Sequence, residues 1–178
     1  PSENNPVTLY LETGVYDPNN GEVFPLIITS NINIIGQHIL IFGEQETIID
    51  ANATNTVIKI EDSNNNTLSD FVITNGRNQE YSGYGGGLIL KNSSPTLNNL
   101  FITMNEADNG AGMYLKDSDP EIRFVSIWSN TTNYSSGGGV YLDSSNPTIG
   151  RSNIMFNQGG GIYMKESSPT IAHTVIHY

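Results

Sequence analysis

The sequence predicts a right-handed parallel β-helix, an all-β solenoid with about three short strands in each coil. Three observations support this fold. A glycine-rich triplet, a proline and an asparagine recur along the chain, and the proline follows the last glycine by eight residues, as Pro95 follows Gly87. The asparagine follows the proline by ten residues, as Asn105 follows Pro95. Only the connection from each asparagine to the next glycine changes in length, through seven, nine and four residues.

The pattern occurs in four copies, the last of them incomplete. The final glycines of the triplets are Gly87, Gly112, Gly139 and Gly161, the prolines are Pro95, Pro120, Pro147 and Pro169, and the asparagines are Asn105, Asn130 and Asn157. A fourth asparagine would fall at position 179, one residue after Tyr178. We therefore expect the chain to be a fragment of a longer protein.

Each copy contains three short stretches in which apolar residues alternate with others, which is the two-residue period of a β-strand. The first stretch follows the glycines and is exemplified by Met113-Tyr114-Leu115; the second follows the proline. The third stretch is predicted to place one apolar residue of each coil in register, namely Val72, Ile102, Ile127 and Ile154. Three strands in so short a repeat leave no room for a helix, which excludes helical repeat classes.

The recurring polar and glycine residues have structural roles in this fold. Coils of a parallel β-helix stack about 4.8 Å apart, so equivalent side chains lie directly above one another. The sequence predicts an asparagine ladder made of Asn75, Asn105, Asn130 and Asn157, in which each amide bonds to the next coil. Glycine supplies positive φ or close approach at the corners, and proline restricts φ there.

The first sixty residues are less regular than the rest. Residues 1–60 are interpreted as the N-terminal start or cap with the first coils, and residues 61–178 as regular coils truncated at the C-terminus, within a single domain. Terminal repeats of solenoids are usually atypical because they cover an open core.

Composition limits the partners. The formal net charge is −11 with only seven Lys and Arg, whereas nucleic-acid binding needs a basic surface, so no nucleic-acid partner is expected. No apolar stretch is long enough to span a bilayer, and the absence of cysteine excludes disulfides and thiolate metal sites. The acidic composition agrees with an extracellular protein.

Several segments carry a family resemblance. The segment from Gly14-Val15-Tyr16 through Phe24-Pro25-Leu26 to Ile34-Ile35-Gly36 resembles the opening of pectin-lyase-like bacterial β-helix proteins. The coil segments Gly137-Gly138-Gly139-Val140-Tyr141-Leu142 and Ser167-Ser168-Pro169-Thr170-Ile171 resemble repeats of large bacterial surface proteins. The Gly-Gly-x-Ile and Ile-x-x-Asn elements are similar to those of chlamydial polymorphic membrane adhesins, although those favour Phe where this chain has Val72 and Ile102. The resemblance implies a secreted or cell-surface bacterial protein.

Two function classes remain open. The first is a non-catalytic surface module for adhesion or for binding a glycan, a host surface or a neighbouring protein. The second, implied by the resemblance, is part of a polysaccharide lyase or glycoside hydrolase, which would need a basic residue beside carboxylates or a carboxylate pair. No such set is recognisable, so no catalytic residue is assigned.

Candidate ligand-binding residues lie on the variable connection, because insertions on one edge of a solenoid often mark its binding face. Tyrosines beside carboxylates suit sugar recognition. The candidates on this edge are Glu80, Tyr81, Tyr84, Glu106, Asp108 and Tyr134. A second set is an outward column on the first strand, formed by Tyr114, Tyr141 and Tyr163 above Ile89, which would serve as a binding stripe or a structural ladder.

Charged residues recur at two further places. Lys91, Lys116 and Lys165, with Asp143 in the third coil, predict a mixed-charge ladder on a solvated face. The corners Asp117-Ser118-Asp119 and Asp143-Ser144-Ser145 are rich in oxygen, and Ca²⁺ is the one cofactor they suggest, without a complete ligand set. No metal site is therefore assigned.

Overall fold

The computed structural model describes residues 1–3, 5–37, 46–78, 83–134 and 136–177. Their regular structure is almost entirely short strands, with one 3₁₀ helix at Pro18–Asn20. The strands, in chain order, are β1 (Val7–Tyr10), β2 (Gly14–Tyr16), β3 (Leu26–Ile28), β4 (Ile32–Ile35), β5 (Thr47–Asp50), β6 (Ile58–Glu61), β7 (Thr67–Thr74), β8 (Leu88–Lys91), β9 (Thr96–Thr103), β10 (Glu106–Ala107), β11 (Met113–Lys116), β12 (Glu121–Arg123), β13 (Ser126–Trp128), β14 (Thr131–Thr132), β15 (Val140–Asp143), β16 (Thr148–Gly150), β17 (Asn153–Met155), β18 (Ile162–Lys165), β19 (Thr170–Ala172) and β20 (Val175–His177). No helix in these ranges is long or apolar enough to cross a membrane.

The strands stack into a right-handed parallel β-helix, which confirms the predicted fold class. One sheet contains six strands in the order β3-β6-β8-β11-β15-β18, and we call it the first sheet. A twelve-stranded second sheet contains two parallel columns, one running from β1 to β19 and the other from β2 to β20, and β10 pairs with β14 in a small third sheet. Each strand pairs in parallel with its equivalent in the next coil, as Met113 pairs with Val140.

A column of left-handed residues separates the two halves of the second sheet. These residues have φ between 48° and 65° and occupy equivalent positions in five successive coils: Asp70, Asn99, Phe124, Arg151 and His173. Strands β7 and β9 continue through this bend, whereas later coils are divided there into two strands each. The bend turns the chain while parallel pairing continues on both sides, so each coil has three strand segments.

The core is the interior of the coil. Alternating residues of the first sheet, such as Leu88 and Leu90, point inward and are fully buried. Leu97 from one half of the second sheet and Ile102 from the other are also fully buried. Because the coils are in register, like residues stack on like residues and the apolar interior is continuous along the axis.

The interior polar ladder contains Asn105, Asn130 and Asn157, each almost completely buried. The backbone N–H of Asn105 donates to Oδ1 of Asn130 at 3.0 Å, and that of Asn130 donates to Oδ1 of Asn157 at 3.0 Å. The side-chain amide of each residue also donates to the next Oδ1, at 2.9 Å and 3.0 Å. The ladder thus satisfies buried backbone groups at the corner, where the strand pairing stops.

The prediction that Asn75 joins this ladder is wrong in register. Thr74 pairs with Thr103, so Asn75 is equivalent to Met104 and Gly76 is equivalent to Asn105. The N–H of Gly76 accordingly donates to Oδ1 of Asn105 at 2.8 Å, while Nδ2 of Asn75 donates to Oδ2 of Asp50 at 2.9 Å. The ladder therefore ends on a glycine that carries no amide side chain.

The same one-residue offset corrects the expected third apolar column. Val72 pairs with Phe101 and points outward, whereas Ile73 pairs with Ile102 and points into the core. In the earlier coil the spacing from the apolar residue to the asparagine is therefore one residue shorter than in the later coils. Asn75 aligns with Asn105 in the sequence repeat but not in the structure. A shift of one residue in the pairing of two strands exchanges the inward and outward faces of the strand.

A second ladder of serines runs along the corner that follows the first sheet. The backbone N–H of one serine donates to Oγ of the next, from Ser63 to Ser93 at 2.9 Å, from Ser93 to Ser118 at 3.1 Å and from Ser118 to Ser145 at 3.0 Å. The hydroxyl of Ser118 also donates to the carbonyl of Lys116. The hydroxyls of Ser118 and Ser145, which lie in the oxygen-rich corners considered above for Ca²⁺, thus take part in the hydrogen bonding of the corner.

Candidate functional site

The tyrosine column lies on the outer face of the first sheet. Tyr114 pairs with Ile89 on one side and with Tyr141 on the other, and Tyr141 pairs with Tyr163. The ring centroids of Tyr114 and Tyr141 are 5.6 Å apart, and those of Tyr141 and Tyr163 are 4.7 Å apart. Parallel register therefore assembles the column from residues more than twenty positions apart in the chain.

Tyr84, from the longest variable connection, covers this column. Its ring centroid is 4.4 Å from that of Tyr114 and 5.7 Å from that of Tyr141. Tyr114 and Tyr141 are consequently only 4% and 9% exposed, whereas Tyr163, farther along the column, is 40% exposed. Ile89, Tyr114 and Tyr141, with Tyr84 packed against them, form an apolar cluster that is separate from the interior core.

Gly85 allows this close packing. Its φ is +67°, and a Cβ built there would lie 2.4 Å from Cγ1 of Ile89. The chain leaving Tyr84 must therefore pass directly over Ile89 with no side chain of its own. The carbonyl of Tyr84 also accepts a hydrogen bond from Nδ2 of Asn78 at 2.8 Å, which joins the two ends of the connection.

Burial makes two rings of the column harder to ionise. It raises the pKa of the Tyr114 phenol well above its usual 10.0, and the nearby Asp143 carboxylate and the neighbouring tyrosines raise it further. Burial also raises the pKa of Tyr141, with a further contribution from Tyr163. Both rings are neutral at neutral pH, as an ordinary phenol is, and the raised pKa values extend that neutral state further into the alkaline range.

A charge column runs beside the tyrosines along the same sheet. It contains the predicted Lys91, Lys116, Asp143 and Lys165, and the register adds Glu61 before Lys91. Lys116 and Lys165 lie 3.7 Å and 3.3 Å from the Asp143 carboxylate. Each lysine of the column thus forms an ion pair with an acidic residue of a neighbouring coil, either Glu61 or Asp143.

Glu61 is at the centre of a small charged group. Its carboxylate lies 3.0 Å from Nζ of Lys59 and 3.0 Å from Nζ of Lys91. Partial burial raises the pKa of Glu61, but hydrogen bonds and Coulomb attraction from Lys91 and Lys59 outweigh it, so the pKa is lowered overall. The group therefore carries two positive charges and one negative charge at neutral pH.

A cavity of about 290 Å³ opens beside this group. It is lined by Lys59, Ile89 and Lys91 of the first sheet and by Gly83 and Tyr84 of the variable connection. The remaining lining residues are Pro25, Asn55, Thr56 and Asn78. We call this space the Tyr84 cavity; it combines an apolar patch, an aromatic ring, amides and charged side chains within one concave surface.

The other predicted edge residues lie in different surroundings. Glu106 forms an ion pair with Arg77, with Nε and Oε2 3.3 Å apart. Oδ1 of Asp108 accepts from Nδ2 of Asn133 at 3.2 Å, and Tyr134 is 62% exposed. Glu80 and Tyr81 fall outside the described residues. Of the predicted edge residues that the structure describes, Tyr84 is the one that packs on the tyrosine column.

Sequence reasoning did not single out Lys59, Glu61 or Asn55. A signal was available, because Ile58-Lys59-Ile60-Glu61 has the same alternation as Leu88-Ile89-Leu90-Lys91 and ends, like it, on a charged residue. Aligning these two strands places Lys59 under Ile89 and Glu61 under Lys91, as the structure has them. Within the described ranges no group of three His, Cys, Asp or Glu side chains is arranged to hold a metal ion.

Comparison with known protein families also supports the fold. Comparisons with curated proteins and with solved structures give no match. The family model described as "Right handed beta helix region" matches residues 19–178, which is nearly the whole chain. The chain therefore belongs to the right-handed β-helix family.

Proposed function

We propose that the protein is a non-catalytic β-helix module, secreted or displayed at a bacterial cell surface, that binds carbohydrate on the outer face of its first sheet. The observation that carries this proposal is the Tyr84 cavity, where an apolar and aromatic surface meets two lysines, each paired with Glu61 beside the cavity. Its location agrees with the general tendency of solenoids to bind ligands beside their variable connections.

The neutral part of the cavity suits a sugar ring. A pyranose has an apolar face of C–H groups and a rim of hydroxyls, and it packs on aromatic or aliphatic side chains such as Tyr84 and Ile89. Amides such as Asn55 both donate and accept hydrogen bonds, which matches the hydroxyl rim. Because the ring of Tyr84 is held against Tyr114, the wall is ordered before a ligand arrives.

The charged part of the cavity favours an acidic sugar. Lys59, Lys91 and Glu61 sum to one positive charge in a chain whose formal net charge is −11. A carboxylate on the ligand would compete with Glu61 for the two ammonium groups, and the remaining excess of positive charge would favour its binding. We therefore expect the module to prefer oligosaccharides that contain uronate units.

Calorimetric titration with galacturonate and glucuronate oligomers, alongside a neutral glucose tetramer, tests the proposal. Lys91→Gln should weaken binding of the acidic oligomer about fivefold, the scale of one partly exposed charge interaction. Glu61→Gln should strengthen binding, because it releases both lysines from their internal partner. Lys116→Gln is the matched control, since Lys116 belongs to the same column and is 45% exposed against 43% for Lys91, but it does not line the cavity.

Equal losses in Lys91→Gln and Lys116→Gln would place the binding elsewhere on the charge column. The same samples should be assayed for new reducing ends and for unsaturated products, which hydrolysis or elimination would generate. Either product, lost on substitution of Lys59 or Lys91, would replace the binding module with an enzyme acting at this cavity.

A further inference from the structure

A second cavity is lined by residues next to those of the Tyr84 cavity. Its volume is about 370 Å³. The residues that line it are Asn52, Ala53, Asn75, Gly76, Arg77, Met104 and Glu106. Adjacent residues of the chain contribute to the two cavities, since Arg77 lines this one and Asn78 lines the Tyr84 cavity. We call the second space the Arg77 cavity.

Backbone pairing holds the two charged groups of this cavity in place. Arg77 and Glu106 form a parallel β-bridge, in which the N–H of Asn78 donates to the carbonyl of Glu106 at 3.1 Å. The N–H of Glu106 donates in turn to the carbonyl of Gly76 at 2.8 Å. The side chains meet at 3.3 Å and remain 46% and 40% exposed, so the pair is both preorganised and accessible.

The wall opposite this ion pair is also ordered. Asp50 accepts at one carboxylate oxygen from the N–H of Asn52 at 2.7 Å, and at the other from Nδ2 of Asn75 at 2.9 Å. The N–H of Ala53 donates to the carbonyl of Asn75 at 2.8 Å. Met104, which is 59% exposed, supplies apolar surface beside these polar groups.

The electrostatics of the cavity determine the kind of ligand. A guanidinium only donates hydrogen bonds and a carboxylate only accepts them, and here the two charges cancel. An anionic ligand would meet Glu106 and a cationic one would meet Arg77. A pair of adjacent hydroxyls fits both groups, because one hydroxyl oxygen accepts from Arg77 while the other hydroxyl donates to Glu106.

We infer that the Arg77 cavity binds an uncharged sugar unit through two neighbouring hydroxyls, with Met104 against the C–H face of the ring. This site shares no lining residue with the Tyr84 cavity, so the inference does not depend on the ligand of that cavity. A saccharide with both acidic and neutral units would be able to engage both cavities.

Nuclear magnetic resonance of the ¹⁵N-labelled chain tests the inference directly. Glucose, mannose and galactose tetramers are titrated separately, with glycine as a zwitterionic probe and galacturonate tetramer as an acidic probe. We expect at least one neutral tetramer to shift the backbone amides of Gly76, Arg77 and Glu106. The shifts should saturate with the ligand and should not require Lys59 or Lys91.

Two substitutions and a matched control extend the test. Arg77→Gln and Glu106→Gln should each weaken binding of the neutral tetramer about tenfold, the factor for one charge-assisted hydrogen bond. Arg123→Gln removes another exposed ion pair, that of Arg123 with Glu121, which is 48% exposed on both sides, and should leave the affinity unchanged. Mapping on the unmodified protein needs no variant, so a variant that fails to fold does not weaken the test.

The outcomes separate the two proposals. Saturation of Gly76, Arg77 and Glu106 by a neutral tetramer, lost in both glutamine variants, supports the Arg77 cavity whatever the acidic ligand does. Shifts caused by glycine or galacturonate but by no neutral tetramer would overturn it in favour of a zwitterion or anion site. Absence of shifts with every probe would also overturn it, whereas acidic binding at Lys59 and Lys91 would leave the Tyr84 cavity intact.

Discussion

The amide oxygen of Asn130 accepts two hydrogen bonds from Asn105 of the preceding coil, one from its backbone N–H at 3.0 Å and one from its Nδ2 at 2.9 Å. Nδ2 of Asn130 donates to the carbonyl of Ile102 at 3.0 Å and to Oδ1 of Asn157 at 3.0 Å. Asn130 is fully buried, so water does not replace these partners. One side chain therefore joins three coils, and it supplies the partner of the buried Asn105 N–H.

Replacing Asn130 with alanine should lower the free energy of unfolding by about 2–4 kcal/mol. The substitution leaves the buried Asn105 N–H without its partner, which costs about 1–3 kcal/mol, and it also removes the hydrogen bonds that Nδ2 of Asn130 donates, each worth about 1 kcal/mol. Urea unfolding followed through Trp128, the single tryptophan, measures the change. Asn133→Ala is the control, because Asn133 is exposed, and it should change the free energy by less than about 0.5 kcal/mol. Equal losses in the two variants would contradict a stabilising ladder.

Two glycines predict opposite responses to alanine. A Cβ on Gly112 would lie 2.5 Å from the carbonyl oxygen of Gly139 and 2.8 Å from Cγ2 of Ile127, so Gly112→Ala should destabilise the protein by about 2 kcal/mol or more. A Cβ on Gly150 meets nothing closer than 3.8 Å, so Gly150→Ala should be neutral or stabilise by up to about 1 kcal/mol. Thermal unfolding of both variants checks the difference in sign. A stable Gly112→Ala variant would show that neighbouring coils separate easily.

The buried tyrosines predict a loss of stability at alkaline pH. Because burial raises the pKa of Tyr114 in the folded chain, the neutral phenol contributes stability that is complete below the usual 10.0 and declines as pH rises beyond it. Tyr114→Phe should therefore lose less stability than the parent chain between about pH 9 and about pH 11. Urea unfolding across that range measures the slope. Parallel slopes for the two chains would mean that Tyr114 ionises as easily when folded as when unfolded.

Glu61 predicts the complementary effect in acid. Its pKa is lowered in the folded chain, so its carboxylate contributes stability above the usual value of 4.5 that is lost as pH falls through the lower folded value. Glu61→Gln should therefore flatten the acid side of the stability curve, while its stability at neutral pH is slightly reduced. Unfolding at a series of pH values from about 3 to about 7 tests this. A variant with the acid slope of the parent chain would assign that slope to other carboxylates.

The constant spacings in the sequence predict the coil and its core well. Each proline follows the last glycine of its triplet by eight residues and precedes its asparagine by ten, so the backbone takes the same course in each coil. The observed pairing of Met113 with Val140 and of Ile127 with Ile154 follows from these spacings. The outward column of Tyr114, Tyr141 and Tyr163 can also be predicted, because each tyrosine follows the last glycine of its triplet by two residues, which places equivalent residues side by side.

The sequence predicts less well where a coil departs from the repeat. Asn75 resembles a ladder residue, but the register of β7 on β9 places Gly76 there instead. Asn75 is the same residue type as the ladder asparagines. Only the pairing of neighbouring strands decides which of the two adjacent positions, 75 or 76, faces inward.

The sequence by itself determined the solenoid, its glycine and asparagine corners and its outward tyrosines, since these depend on local periodicity that repeats along the chain. Only the tertiary structure decided that Tyr84 folds back over Tyr114 and that Arg77 meets Glu106. These contacts depend on the path of connections of unequal length and on the register between coils. Neither leaves a periodic signal, because each connection packs against a different neighbour.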